Sequence, residues 1–240
     1  MGARGDRQLP CDRRSQGPAT GLYFVHPHES EHHFTYYREG AAAARFETRS
    51  LPRRYIAEAR VLHVSAIFHA ISETARDTVL AAIAVAREAG VAVSYDTNLR
   101  LKLWLLDQAR ATIHAAMQQV DIAFPSLDYA RLLTGRERPD EIVDFYLDLG
   151  ARIVALKCGG EGALIAAREE RRVIAPVPVE AVDSTGAGDA FAGGFLAYWL
   201  ETGDPFEAGR RAAAVAAATI AGFGAIAPIP HRAETMAMLA

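Results

Sequence analysis

From residue 60 onward the sequence alternates short β-rich runs with longer runs of helical periodicity, and this alternation constrains the fold more than any other feature. The β-rich runs are residues 61–67, 91–95, 122–125, 152–157, 162–167 and 171–175. Between and after them, helices are predicted over residues 72–89, 106–118, 129–133, 139–149, 186–203 and 205–222. Units that alternate in this way predict an α/β fold, with a mostly parallel sheet that carries helices on both faces.

Composition allows one such domain and excludes several functional classes. The chain has 240 residues, half of them apolar, which is enough for a single sizeable core. Its formal net charge of −3, with both signs intermixed, gives no electrostatic footprint for nucleic acid. The two cysteines, Cys11 and Cys158, match no metal-ligand spacing and form no disulfide framework, which fits a reducing compartment. Arginines near the N-terminus are followed by no apolar stretch, so we expect no secretory signal and a cytoplasmic protein.

Three segments outside the alternating units complete the organisation. Residues 1–20 are polar and are predicted to be disordered, which leaves residues 21–240 as the folded domain. Residues 21–25 and 33–38 are β-rich runs around a short polar loop, which predicts a hairpin. Residues 212–230 carry no charge, but glycines and prolines interrupt any helix long enough to span a membrane. We expect a buried helix followed by a short extended piece there, and no membrane partner.

The string DSTGAGDAF at residues 183–191 carries the strongest chemical signal. Two glycines and an alanine open a predicted helix, whose first backbone N–H groups have no partner within the helix and bind anions. Small residues let a phosphate group approach this backbone closely. We call the backbone of Gly186, Ala187, Gly188 and Asp189 the anion hole. The Asp189 carboxylate repels a phosphate, so it is either a helix cap or a base that takes a proton from an attacking hydroxyl.

Polar side chains at the predicted strand ends are a second feature. Asp96, Ser126 and Lys157 all fall at ends of predicted strands, so we expect one crevice to collect them. The strings YYR at residues 36–38 and DTNLR at residues 96–100 add phenol, amide and guanidinium groups. Arginine binds carboxylates through two parallel hydrogen bonds, and tyrosine offers a hydroxyl and a flat face to a sugar. These residues together favour a small acidic sugar, whereas each one taken singly is more often structural.

The nine residues 183–191 together resemble the C-terminal signature of the ribokinase-like (PfkB) carbohydrate kinases, D-T-x-G-A-G-D-x-F, with Ser184 in place of the threonine. The P-loop and dinucleotide glycine patterns are absent from the sequence. The resemblance implies a ribokinase-like fold with a partial β lid, and phosphoryl transfer from ATP, with Mg²⁺, to a sugar hydroxyl. It implies that Asp189 is the catalytic base and that Gly186, Ala187 and Gly188 form the catalytic anion hole.

Further strings resemble the 2-keto-3-deoxygluconate kinase branch of that family. They are GLY at 21–23, YYR at 36–38, DTNLR with the following LW at 96–104, and PSLD at 125–128. In that branch these stretches face a sugar acid, so the resemblance implies phosphorylation of the terminal hydroxyl of ketodeoxygluconate. The substrate-binding residues that it implies are Tyr23, Tyr36, Arg38, Asn98, Arg100 and Asp189, with the two arginines nearest the carboxylate. It also implies a homo-oligomer in which lid strands pair between subunits.

The nucleotide site is likewise implied by resemblance. KCGGEG at 157–162 resembles the K-x-G-x-x-G turn that borders the nucleotide in the family, and residues 216–225 resemble the segment that lines the adenine pocket. The implied cofactor-binding residues are Ser126, Lys157, Gly159, Gly162, Thr185, Gly186 and Gly188. Many relatives carry N-x-x-E where this chain has Ser126 and Tyr129, so the ligands of Mg²⁺ stay unassigned.

The resemblance spans residues 21–230 and lacks the family's N-terminal portion, which carries the first strands of the sheet and part of the lid. The domain is therefore expected to be N-terminally incomplete, with an exposed strand edge. Two functions stay open. One is the kinase, acting on ketodeoxygluconate or on another sugar such as fructose or ribose. The other is a non-catalytic remnant that binds nucleotide or sugar acid without turnover.

Overall fold

The computed structural model describes residues 17–26 and 33–239, which form eight strands and nine helices besides short 3₁₀ turns. The strands are β1 (Leu22–His26), β2 (His33–Tyr37), β3 (Val61–Ser65), β4 (Ala92–Asp96), β5 (Ile122–Phe124), β6 (Ile153–Lys157), β7 (Ala163–Ala167) and β8 (Glu170–Ile174). The helices are α1 (Arg53–Ala57), α2 (Ile67–Ala70), α3 (Glu73–Glu88), α4 (Leu106–Met117), α5 (Leu127–Thr134), α6 (Pro139–Leu149), α7 (Ala187–Thr202), α8 (Pro205–Ile220) and α9 (Arg232–Ala237).

The strands form two sheets. β1 and β2 make an antiparallel hairpin, as the sequence predicts. The other six strands form one sheet in the order β3-β4-β5-β6-β7-β8, with β3 to β6 parallel and the β6–β7 and β7–β8 pairs antiparallel. The predicted α/β class is confirmed. β3 lies at one edge of this sheet, so the described residues leave that edge open, as the sequence also indicates.

Alternate residues of the central strands pack into opposite helical layers. Ile122 and Phe124 belong to the core that includes α7 and α8, whereas Ala123 belongs to the core that includes α3, α4 and α6. Successive side chains of a strand point to opposite faces, so a strand that is covered on both faces needs an unbroken apolar run. Helices therefore cover both faces of the sheet, as predicted.

Local signals in the sequence fix several helix ends. Ser72 caps α3, because its side chain accepts a hydrogen bond from the Ala75 N–H at 3.0 Å. Asp204 caps α8 in the same way, accepting from the Phe206 N–H at 2.8 Å. Gly203 ends α7 with φ +70°, a conformation that glycine adopts without strain. Gly203 and Asp204 thus form the short connection between α7 and α8, and α7 carries the anion hole at its other end.

Two local expectations are wrong. The β-rich runs 162–167 and 171–175 predict a hairpin that turns at residues 169–170, but β8 already begins at Glu170 and Arg168 takes the positive φ, +56°. Residues 221–228 form bends and turns rather than an extended piece. The glycines and prolines of this segment favour turns at least as strongly as extended backbone.

Two further expectations concern the termini and the membrane. Of the predicted disordered segment 1–20, residues 1–16 lie outside the described residues, and residues 17–20 are exposed. Within the described ranges, no helix has both the length and the apolar character needed to cross a membrane.

Candidate active site

Three strand ends meet at the carboxyl edge of the large sheet. Ser126 follows β5 and pairs with Lys157, the last residue of β6, through an isolated parallel bridge. The Lys157 N–H donates to the Pro125 carbonyl at 2.8 Å. Its Nζ donates to Oδ2 of Asp96, the last residue of β4, at 2.7 Å. Asp96, Ser126 and Lys157 therefore meet at this edge of the sheet, as expected, but only Ser126 and Lys157 line a cleft, because Asp96 is buried beneath Lys157.

A glycine in the left-handed region forms the turn that opens α7. Gly186 has φ +81°, and a Cβ there would lie 2.9 Å from the Cβ of Ala225, so the turn requires glycine. Buried Asp183 accepts hydrogen bonds from the Thr185 N–H at 2.8 Å and from the Gly224 N–H at 2.9 Å. Asp183 thus ties the turn before α7 to the loop that follows α8.

The first turn of α7 combines N–H donors, a nearby ammonium group and an exposed carboxylate. The Ala187 N–H already donates to the Ser184 carbonyl at 3.2 Å, whereas the next amides of the first turn have no carbonyl partner within the helix. A Cβ on Gly188 would lie 3.4 Å from Lys157 Nζ, so the ammonium borders the anion hole. Asp189 is exposed in the same turn. The positive helix end and Lys157 together attract an anion.

The larger of the two main clefts, about 840 Å³, lies against this turn. Ser126, Lys157, Gly159, Gly162, Ser184 and Gly188 form its polar wall. Pro176, Val177, Val179, Ala216, Ala217 and Ile220 form an apolar wall. Five of the seven predicted nucleotide residues line this cleft, namely Ser126, Lys157, Gly159, Gly162 and Gly188, whereas Thr185 and Gly186 do not. An apolar wall facing a few polar groups is typical of a small-molecule or cofactor site.

The smaller cleft, about 670 Å³, lies on the other side of the same turn. Gly186 and Asp189 line it, together with the exposed Gly193 and Ala197 of α7. Gly188 lines only the larger of the two clefts. The four residues of the anion hole therefore stand between two clefts, and Asp189 faces the smaller one.

The β1–β2 hairpin carries three of the predicted substrate residues. Tyr23 and Tyr36 are cross-strand partners whose ring centroids lie 6.1 Å apart. The Arg38 guanidinium carbon lies 3.9 Å from the Tyr36 ring centroid. Nε and Nη2 of Arg38 are buried and have no hydrogen-bond partner among the described residues. These two nitrogens therefore keep donor capacity that no acceptor among the described residues uses.

The loop after β4 carries two more of the predicted substrate residues, Asn98 and Arg100. Asn98 has φ +20°; its N–H donates to Asp96 Oδ1 at 3.0 Å and its Nδ2 to Ser65 Oγ at 3.2 Å. The Arg100 guanidinium carbon lies 5.8 Å from the Tyr129 ring centroid, and its Nη1 donates to the preceding carbonyl. Neither these residues nor those of the hairpin line either cleft, so the described residues do not gather them into one pocket with the anion hole.

Sequence reasoning assigned no role to three residues of this region. Asp96 and Asp183 lie inside strings that it quoted, and their contacts could have been suspected only from their positions at a strand end and before a glycine turn. His63 carried no signal. Its ring bonds to Ser94 Oγ at 2.8 Å, and it lies exposed on the edge strand β3.

The described residues contain no preformed metal site. No group of three or more histidine, cysteine or acidic side chains among them is arranged to hold a metal ion. Asp128 is exposed, with its carboxylate 3.5 Å from Arg131, and Tyr129 stands where many relatives have glutamate.

Comparison with known proteins identifies the family. The model of the pfkB family carbohydrate kinases matches residues 8–232, which is most of the chain. The chain belongs to this family. The resemblance seen in the DSTGAGDAF string is therefore confirmed over residues 8–232.

Individual relatives agree with this assignment. The 2-dehydro-3-deoxygluconokinase (2-keto-3-deoxygluconate kinase) of Bacillus subtilis (strain 168) is 34% identical over 214 residues, which cover 88% of this chain and 66% of the relative. Fructokinase-1 of Oryza sativa subsp. japonica is 32% identical, over 93% of this chain and 72% of the relative. A solved structure of a putative ribokinase II from E. coli, in complex with ATP and Mg²⁺, matches with a TM-score of 0.85 and 25% identity, over 92% of this chain and 71% of that one.

These matches confirm the ribokinase-like fold and leave the sugar open. The chain spans about two thirds of the length of the curated relatives it matches. Both ketodeoxygluconate kinases and fructokinases occur among them.

Proposed function

We propose that this member of the carbohydrate kinase family transfers the γ-phosphoryl group of ATP to the terminal hydroxyl of 2-keto-3-deoxygluconate. The observation that carries the proposal is the place of the anion hole between two clefts. Gly188 lines the larger cleft and Asp189 the smaller, so a phosphoryl group at the anion hole would lie between a nucleotide and an acceptor. Phosphoryl transfer requires this in-line order of leaving group, phosphorus and attacking oxygen.

In this proposal the chain positions the reactants and moves one proton. Backbone N–H groups of the first turn of α7 donate to the phosphoryl oxygens, and Lys157 adds a positive charge beside them. The Asp189 carboxylate accepts the proton of the attacking hydroxyl. A new phosphorus–oxygen bond forms to the sugar, the bond to the β-phosphate oxygen breaks, and ADP leaves. Asp189 then releases its proton to solvent, to which it is exposed.

The larger cleft fits an adenine nucleotide. Its apolar wall suits a flat base, while Lys157 and the glycine backbone suit phosphates. Gly162 has φ +88°, and a Cβ there would lie 2.1 Å from the Ile174 carbonyl oxygen, so no side chain can intrude at this turn. When bound, Mg²⁺ supplies charge neutralisation of the phosphates. Because the proposed co-substrate is ATP, we also propose a cytoplasmic location.

A sugar acid fits better than a neutral sugar, because the buried guanidinium nitrogens of Arg38 lack an acceptor within the described residues. A carboxylate offers two acceptor oxygens in the geometry of that fork. The proposed substrate contacts are Tyr23, Tyr36, Arg38, Asn98 and Arg100.

One observation favours a second candidate, a protein that binds nucleotide or sugar acid without turnover. The described hairpin and the loop after β4, which carry the other proposed substrate residues, line neither of the two clefts beside Asp189. Fructose or ribose kinase activity is a further alternative, since fructokinases are among the relatives.

A sugar panel with the purified 240-residue chain separates these candidates. ADP release would be followed with ATP, Mg²⁺ and, in parallel, ketodeoxygluconate, gluconate, fructose and ribose, and the phosphorylated product identified by mass. The proposal expects kcat/KM for ketodeoxygluconate to exceed that for fructose at least tenfold. Preference for fructose or ribose would support the other kinase, and nucleotide binding without any phosphorylated sugar would support the binding protein.

We also propose that the hairpin pairs with a second copy of the chain. Leu22, Phe24 and Tyr37 share one face of β1–β2 and are each more than half exposed. A two-stranded sheet with such a face is marginal on its own. Light scattering after size exclusion should give a dimer for the wild type, and Phe24→Ser should shift it to the monomer. A wild-type monomer at micromolar concentration would contradict this.

A further inference from the structure

A buried ion pair joins β4 to β6 beside the anion hole. The side chains of Lys157 and Asp96 are only 12% and 4% exposed, whereas those of the surface pair Arg54 and Glu58 are 90% and 51% exposed. A buried ion pair contributes little net stability, because the desolvation of both charges offsets their attraction. The location of the pair is therefore a better guide to its role than its contribution to folding.

Asp96 uses both carboxylate oxygens, and each oxygen serves a different segment. Oδ2 accepts from Lys157 Nζ at 2.7 Å, and Oδ1 accepts from the Asn98 N–H at 3.0 Å. The second bond holds Asn98 at φ +20°, where its side chain reaches Ser65. Asp96 thus fixes the loop that carries the proposed substrate residues Asn98 and Arg100.

Lys157 faces the nucleotide side of the same crevice. Its Nζ lies 3.4 Å from the position that a Cβ of Gly188 would take, and both residues line the larger cleft. An ammonium group has three N–H donors, and Asp96 accepts one of them. The others can be donated to an anion that enters the anion hole. Because Asp96 already holds the side chain, little rotamer entropy is lost when that anion binds.

We propose that Asp96 is a positioning residue. It couples the loop after β4, which carries the proposed sugar-binding residues, to the phosphate end of the nucleotide cleft. Its carboxylate places the Lys157 ammonium at the anion hole and, through its other oxygen, sets the Asn98 turn. This inference rests on the proposed function and deepens it. It names one carboxylate whose two oxygens fix a group at the nucleotide site and a turn at the sugar site.

Asp121 is a matched control for Asp96. It also accepts from a cation and a backbone N–H, namely Arg87 Nη1 at 2.9 Å and the Val93 N–H at 2.8 Å. Its side chain is 15% exposed. It lies at the opposite edge of the sheet, because Val93 precedes Asp96 by three residues, or about 10 Å, along β4. Asp121→Asn therefore removes a similar charge without touching the crevice.

The test compares steady-state kinetics of three single variants. Two donors face Asp96, namely Lys157 Nζ and the Asn98 N–H, but asparagine has only one acceptor oxygen. Asp96→Asn should therefore lower kcat at least tenfold and raise KM for both ATP and the sugar acid at least threefold. Lys157→Met should lower kcat and raise KM for ATP by similar factors, but leave KM for the sugar acid within twofold. Asp121→Asn should lower Tm and leave kcat and both KM values within twofold.

The double variant Asp96→Asn/Lys157→Met removes both charges together and decides whether Asp96 acts through Lys157. Its kcat should equal that of Lys157→Met within twofold, with only KM for the sugar acid raised further. If Asp96→Asn alone does not fold, the test depends on the kcat of the double variant relative to that of Lys157→Met. Losses in kcat that multiply, kinetic constants of Asp96→Asn within twofold of wild type, or equal losses in Asp121→Asn would each overturn the proposal.

Failure of the proposed function is distinguishable from failure of this inference. If the wild type phosphorylates no sugar, ATP affinity measured by calorimetry replaces turnover. Asp96→Asn and Lys157→Met should then each weaken ATP binding at least tenfold, and Asp121→Asn should not. Unchanged ATP affinity in Asp96→Asn, or a wild type that binds no ATP, would overturn the coupling.

Discussion

Arg38 and Arg100 differ in how their guanidinium groups are held. Arg100 already donates to a backbone carbonyl, whereas Nε and Nη2 of Arg38 have no acceptor among the described residues. Loss of one charge-assisted hydrogen bond costs about 1.5–3 kcal/mol. Arg38→Ala and Arg100→Ala should therefore each reduce the preference for ketodeoxygluconate over fructose at least about tenfold in kcat/KM. Equal losses on the acidic and the neutral sugar would mean that the arginine is structural.

His69 makes stability depend on pH. It is fully buried, neither ring nitrogen has a hydrogen-bond partner within the described residues, and burial lowers its pKa from 6.5 to about 4. Above pH 6.5 the ring is neutral in both states. Between pH 6.5 and about 4 the unfolded chain binds a proton that the folded chain does not, so the free energy of unfolding falls as pH falls, by about 3 kcal/mol in all. Below pH 4 both states are protonated and this loss ends.

Replacement of His69 by phenylalanine tests that sign. The aromatic ring keeps the contact with Tyr95, whose centroid lies 5.8 Å away, but it cannot be protonated. Urea unfolding of both proteins between pH 7.5 and 4 should show His69→Phe gaining about 3 kcal/mol relative to wild type as pH falls. Other titrating groups are common to both proteins and cancel. Parallel stability curves would show that His69 does not carry this pH dependence.

At the residue scale, the sequence predicts the contacts that are local in the chain, whereas for residues far apart in the chain it predicts only which strand ends lie near one another. The DSTGAGDAF string carries its turn and helix start within nine residues, so Gly186 and Asp189 could be found without a structure. Asp96 and Lys157 are 61 positions apart, and only the strand order brings them to 2.7 Å. The predicted substrate residues illustrate the same limit, because periodicity locates a strand but not the direction of a long side chain.

Two helical glycines behave oppositely because one packs on the sheet and the other faces outward. A Cβ on Gly209 of α8 would lie 2.6 Å from Cγ1 of the fully buried Ile165, whereas a Cβ on Gly193 of α7 would meet nothing within 4 Å. Gly209→Ala should destabilise the fold by about 1–3 kcal/mol through overpacking. Gly193→Ala should stabilise it by about 0.5–1 kcal/mol, because alanine is the better helix former. Thermal unfolding of both variants checks the signs, and a loss in both would contradict this packing of α7.

At the element scale, long periodic segments are predictable and short or unmarked ones are not. Helix α6 has the predicted bounds, Pro139–Leu149, because proline marks its start and glycine its end. The β7–β8 turn has no glycine or asparagine, so nothing marks Arg168 as the residue with positive φ. Helices α1 and α2, of five and four residues, are too short to show a period.

For the whole molecule, ATP binding is the property that the proposed kinase and the nucleotide-binding alternative share. A ligand that binds only the folded state at one hundred times its Kd adds about 2.7 kcal/mol to the free energy of unfolding. ATP with Mg²⁺ should therefore raise Tm in differential scanning fluorimetry, and adenosine, which lacks the phosphates that Lys157 and the anion hole would bind, should raise it less at equal concentration. An unchanged Tm at millimolar ATP would contradict both the kinase and the nucleotide-binding alternative.

Turnover by Asp189→Asn is the most direct test of the whole account. Asparagine is nearly isosteric with aspartate and keeps an acceptor oxygen, but it cannot take a proton at neutral pH. General-base assistance contributes about 10²–10⁴ in rate. In a wild-type chain that phosphorylates ketodeoxygluconate, Asp189→Asn should lower kcat at least about a hundredfold, with Tm and sugar affinity little changed. A variant that keeps near-wild-type turnover would show Asp189 to be a helix cap and would contradict the proposed mechanism.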